Sequence, residues 1–147
     1  MKKTLKRIFA LICVVTMFSA PSTALAASEP VLVYQDDTSK FFEFQPDPYF
    51  VSAGNGTILQ DTTNAQRWSV PAGHGFLTQF DLTGPGAFNV RIYKLEPIME
   101  LVYDETRGPY FSFFNHYIPP ISTNTDYLVV VFAVTNIYIT GYAGTIY

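Results

Sequence analysis

Cysteine is nearly absent from this chain of 147 residues. The single one, Cys13, lies in an N-terminal apolar run, so disulfides and thiol catalysis are excluded for everything that follows. Cations are scarce too. After Arg7 only Lys40, Arg67, Arg91, Lys94 and Arg107 remain, and they are scattered. Without a basic stripe, nucleic acid and anionic membrane surfaces are poor partners. Helical spacing of apolar residues is never sustained over three turns beyond the first 26 residues. There is no G-x-S-x-G and no H-E-x-x-H. Charge is missing altogether from the last 21 residues, Tyr127 to Tyr147.

What is present begins with a leader. Lys2, Lys3, Lys6 and Arg7 precede an apolar run from Ile8 to Ala20, then Pro21-Ser22-Thr23 and the small-residue tripeptide Ala24-Leu25-Ala26. This is the pattern of a secretory signal peptide over residues 1–26. The apolar run is shorter than the roughly 20 residues a membrane span needs, so cleavage after Ala26 is expected. Ile12 before Cys13 departs from a lipoprotein cleavage site, and no lipid anchor is expected. The mature chain, residues 27–147, keeps five of nine basic residues and all twelve acidic ones, a net charge of about −7. It is long enough for one domain. Of thirteen Phe, ten Tyr and one Trp, only Phe9 and Phe18 leave with the leader.

Strand periodicity runs through that domain. Phe76, Thr78, Phe80 and Leu82 alternate with Gln79 and Asp81; after Gly84-Pro85-Gly86, Phe88, Val90 and Ile92 alternate with Asn89, Arg91 and Tyr93. Two strands joined by a Gly/Pro turn are expected. Tyr49–Val51 and Thr57–Leu59 flank Gly54-Asn55-Gly56, a hairpin-turn composition. Further strands are expected over Val31–Tyr34, Lys40–Phe44, Arg67–Val70, Ile98–Tyr103 and Tyr110–Phe114. The fold expected is all-β: a single antiparallel β-sandwich, jelly-roll-like.

The uncharged tail fits that fold better than a membrane. Its longest apolar stretch, Leu128–Val134, is far short of a spanning helix, and β-branched residues dominate it. A strand pair, Tyr127–Thr135 and Ile137–Tyr147, is expected, with so little room for a turn between them that the second could instead continue the first around a bend. Both faces of the first are apolar, which predicts a central strand covered on both sides. A transmembrane β-barrel would need lipid-facing residues at Thr145, Ala143 and Gly141, a poor apolar band.

Candidate sites are few. His74 and His116 with a carboxylate could hold zinc or move protons, yet 42 residues separate them and solvated loop histidines explain them as well. Asp36-Asp37-Thr38 and Asp61-Thr62-Thr63-Asn64 offer oxygen ligands for calcium, but without a loop motif a polar turn accounts for both. Asn55-Gly56-Thr57 has the form of a glycosylation acceptor, for which the turn role suffices. No metal and no cofactor is expected. In Tyr110-Phe111-Ser112-Phe113-Phe114-Asn115-His116-Tyr117 successive side chains must alternate between faces. With Phe111 and Phe113 in the core, Tyr110, Phe114 and His116 face outward. There, with Tyr117 and with Trp68 beside Ser69, they could stack on sugars or on a partner's apolar surface. The competing reading is that both faces are interior.

Trp68-Ser69-Val70-Pro71-Ala72-Gly73, Phe88-Asn89-Val90-Arg91-Ile92-Tyr93 and Asp126-Tyr127-Leu128-Val129-Val130-Val131 together resemble the pre-peptidase C-terminal sandwich modules of secreted bacterial proteins. The resemblance implies a small β-sandwich, normally appended to an enzyme and here standing alone. Where such modules carry acidic residues near the middle strand, this chain has Asn89 and Arg91. The expected function is that of a secreted, extracellular, non-catalytic protein that binds a polysaccharide, an envelope component or a secreted partner protein. Two alternatives stand beside it: a small secreted hydrolase or metal-dependent enzyme using His74 or His116, and a structural subunit of an extracellular matrix or coat.

Overall fold

The computed structural model describes residues 29–62 and 66–147; the leader expected over residues 1–26 lies outside them. Among the described residues there are nine strands and no helix. They are β1 (Leu32–Gln35), β2 (Ser39–Glu43), β3 (Tyr49–Val51), β4 (Gly56–Leu59), β5 (Trp68–Val70), β6 (Gly75–Lys94), β7 (Glu100–Ile118), β8 (Thr125–Ala133) and β9 (Ile137–Ile146). All pairings are antiparallel. The expected all-β, sandwich-like domain is what these residues form.

The sheet curls because β6 belongs to two layers. Residues Gly75–Leu82 pair with β9, while Phe88–Lys94 pair with β8. β7 follows β6 along both halves. One layer is therefore β1, β2, β9, the first half of β6 and the second half of β7, with β3 end to end with β2 on β9. The other is β8, the second half of β6 and the first half of β7, with β4 and β5 sharing the far side of β8. The inner faces pack on each other: Phe76 stacks on Tyr127 at 4.9 Å, Phe80 meets Phe88 at 5.7 Å and Phe44 meets Trp68 at 5.7 Å.

Gly84-Pro85-Gly86 is thus a bend within one long strand, not a turn between two. Gly84 takes a φ of 85°, which a side chain would disfavour, and the pairing register with β7 shifts there. β7 yields at the same level, since Gly108, Pro109 and Tyr110 lie between the partners of Phe88 and Gly86. Paired bulges of this kind bend strands and let one ribbon serve two layers. The hairpin expected around Gly54-Asn55-Gly56 is also corrected. β3 pairs with β9 and β4 with β8, so this turn crosses between layers; Gly54 N–H donates to Ala133 O, and Ala133 N–H to Asn55 O.

The tail forms β8 and β9, both deep in the sheet, yet they do not pair with each other; β6 lies between them. On β8, Tyr127, Val129, Val131 and Ala133 are buried. Leu128 and Val130 are only half-buried, and Phe132 and, just past the strand's end, Val134 are exposed. The expectation of cover on both sides fails: the strand is central in its hydrogen bonding, but only one face meets the other layer. On β9, Gly141 permits the close approach of β6. A Cβ there would meet the Gln79 carbonyl and the Phe80 backbone.

Candidate functional site

Two of the five aromatic or histidine positions expected to bind a ligand lie in the core. Trp68 is buried in β5, its indole N–H donating to the Leu59 carbonyl at 3.0 Å. Val70, two residues on, shares its face, while Ser69 points out. Phe114 is likewise buried, stacked on Phe80 at 4.8 Å. The face assignment along this segment is therefore reversed. Phe114 follows its partner Phe80 inward, and Phe111 and Phe113, expected inside, are each close to half exposed.

The other three are accessible to different degrees. Tyr110 is 91% exposed at the β7 bulge, and Tyr117 is exposed. Tyr117, four residues on, shares the outer face with Phe113 because alternate residues of a strand point the same way. His116 is half-buried on the inner side, its ring 3.7 Å from that of Tyr103. The first half of β7 brings Glu105 and Arg107 close by: Arg107 Nη2 donates to Glu105 Oε2 at 2.9 Å, and Tyr103 O–H donates to the same oxygen. Burial holds the His116 imidazole below its ordinary pKa, with the Glu105 charge pulling the other way.

β7 pairs with β6 alone among the described residues, so its other backbone edge is free. Edge strands are usually blunted by charge. From Gly108 to Pro120 this one carries no Asp, Glu, Lys or Arg; Pro109 at the bulge is its one blunting residue before Ile118. Phe111, Phe113 and Tyr117 are each about 45% exposed beside that edge. The outer face of the other layer differs. There Asn89 Nδ2 donates to Asp104 Oδ1 at 2.6 Å, Arg91 pairs with Asp104 at 3.2 Å, and the Arg91 guanidinium lies over Phe132.

The remaining candidates have local explanations. His74 has its Nδ1 3.0 Å from the Ala72 carbonyl oxygen and its ring edge-on to Tyr147 at 4.3 Å, neighbours entirely different from those of His116. No group of three or more His, Cys, Asp or Glu side chains with metal-binding geometry occurs among the described residues. Asp36 is the polar turn weighed above: its Oδ1 accepts from the N–H and hydroxyl of Thr38 and of Ser39, and its Oδ2 from Tyr34 O–H. Those donors hold its carboxyl well below the usual range, Tyr34 foremost. Thr63 and Asn64 lie outside the described residues. Two features escaped sequence reading. The outward Phe111 and Phe113 left no mark, because both parities of this segment are aromatic; the exposed pair Phe50–Tyr138, 4.9 Å apart, depends on the pairing of β3 with β9.

No family model matches this chain, and no curated protein matches it in sequence.

Proposed function

We propose that this protein is a secreted, non-catalytic binding module that docks an extended segment of a secreted partner protein along the free edge of β7. The observation that carries this reading is a long edge strand whose second half, Phe111–Ile118, combines unpaired backbone with exposed rings and no Asp, Glu, Lys or Arg. An added strand would satisfy the backbone groups, and Phe111, Phe113 and Tyr117 would flank alternate side chains of the guest. Aromatic residues are the usual anchors of such interfaces. Stacking of the same rings on a polysaccharide is the competing mode. Photo-crosslinking separates them: a benzophenone side chain at Phe113 is expected to trap an extended segment of one secreted protein, and Phe111→Lys to abolish the adduct. A glycan adduct, or equal trapping from Phe132 on the other layer, would contradict the reading.

A structural role in a matrix or coat is the second reading, favoured by β1. It is the opposite margin of the layer that holds the second half of β7, and Val31, Leu32, Val33 and Tyr34 are each about half exposed. Two edges of one layer unpaired among the described residues permit head-to-tail addition of copies, which does not close. Sedimentation of the purified protein over a concentration series discriminates: open-ended growth supports assembly, and a monomer at all concentrations opposes it.

A further inference from the structure

A cleft of about 390 Å³ opens between the layers, remote in sequence from the β7 edge. One wall is β2 and the end of β9, with Lys40, Phe42 and Tyr147; the other is the β5 region, with Asp61, Arg67 and Trp68. Its volume falls in the roughly 300–1,000 Å³ range of small-molecule sites.

The distribution of cations singles this cleft out. Among the described residues there are five basic side chains. Arg91, Lys94 and Arg107 stand 3.2, 3.1 and 2.8 Å from carboxylates. Arg67 Nη1 stands 3.8 Å from Asp126 Oδ2, the longest of the ion pairs, with its side chain 64% exposed. Among the described residues Lys40 has no carboxylate within ion-pair distance; its ammonium lies 4.9 Å from the Phe42 ring centre. In a chain with so many surplus carboxylates, the two cations without a close partner both line one cleft.

The third polar group there is Asp61. Its carboxyl has the backbone N–H groups of Asp61 and Thr62 as neighbours, and its Oδ1 makes no hydrogen bond of good geometry among the described residues. Burial pushes its carboxyl up from the usual range, with the backbone N–H groups of Asp61 and Thr62 opposing. A hydroxyl is a fitting partner, able to donate to a carboxylate or to accept from a carboxylic acid. Phe42, Val70 and Phe76 supply apolar lining for a ring.

We propose that this cleft binds a hydroxylated ring carboxylate of the uronic-acid class, its carboxylate between Lys40 and Arg67 and a ring hydroxyl on Asp61. The overall negative charge of the mature chain does not forbid this, since salt screens remote charges beyond roughly 8 Å at physiological ionic strength while the two cations act at contact. The site is independent of the β7 edge, and Phe113→Lys should leave it unchanged.

Sodium glucuronate, glucose and sodium acetate, titrated separately into the full-length secreted protein and followed by amide NMR shifts, test it. Glucuronate is expected to move the resonances of Lys40, Asp61, Arg67 and Ser69, and to bind about tenfold or more tightly than either other probe. That factor is what one charge-assisted hydrogen bond supplies. Added sodium chloride should weaken it. Arg67→Ala and Lys40→Ala should each cost about tenfold, and Lys94→Ala nothing. Arg67 is exposed enough that its variant should keep the wild-type melting temperature. Glucose binding as tightly as glucuronate would remove the cations from the account; acetate binding as tightly would remove the ring and Asp61. Either outcome overturns the proposal, as does an absence of shifts in these residues.

Discussion

Phe80 and Phe114 face each other across the β6–β7 pair with ring centres 4.8 Å apart and planes 23° from parallel, and this stack fixes which side of β7 is interior. Phe114→Ala should cost about 3–5 kcal/mol in urea denaturation, the usual loss for emptying a buried phenylalanine site. Phe113→Ala should cost about 1 kcal/mol or less, as surface substitutions do. Equal costs would mean the register of β7 is wrong.

The tail offers the same contrast one strand pair away. Val131 is fully buried between β4 and β6, while Val130 beside it is half-buried on the outer face. Val131→Asp would place an unpaired carboxylate in the core at a cost of several kcal/mol, comparable to the total stability of a small domain. It should not accumulate as folded protein. Val130→Asp should fold with a lowered melting temperature, since its carboxylate can reach water.

Gly141→Ala tests the close approach of β9 and β6. The added methyl group meets backbone, which cannot swing aside as a side chain can. The expected loss is about 1–3 kcal/mol by chemical denaturation, the usual range for overpacking. Unchanged stability would show that β9 relaxes freely.

His116 should leave a signature in pH. Its folded-state pKa lies below the ordinary histidine value of 6.5, so the unfolded chain takes up the proton more readily. The stability it contributes is fully present above pH 6.5 and is lost as pH falls through the interval between the unfolded and folded values. Tyr103, Glu105 and Arg107 are the titratable or charged groups around it. Unfolding free energies measured across this range should rise with pH in the wild type and show a smaller rise in His116→Gln. Identical profiles would contradict the assignment.

Much of the fold was legible in the sequence because half-buried strands alternate. Phe76, Thr78, Phe80 and Leu82 are inward as their spacing implies, and so are Phe88, Val90 and Ile92. Trp68, expected to be exposed, is interior, and its alternation with Ser69 and match to Val70 already carried that signal. What alternation cannot supply is the partner. Gly84-Pro85-Gly86 has turn chemistry, and only the continuous pairing with β7 makes it a bend. Along Tyr110–Tyr117 aromatic side chains occupy both parities, so the inward set is decided by Phe80 on the neighbouring strand. Lys40, Asp61 and Arg67 are brought to one cleft by the packing of two layers, which no local pattern records.

The claim that β7 docks a guest strand is tested most directly by amide hydrogen exchange, comparing the free protein with the complex isolated by crosslinking at Phe113. Strand addition predicts that peptides covering 111–118 gain protection, because edge N–H groups open to solvent become hydrogen-bonded, while those covering 89–92 on the far layer do not change. If the complex forms without added protection in 111–118, the rings alone make the contact and the strand-addition account is wrong.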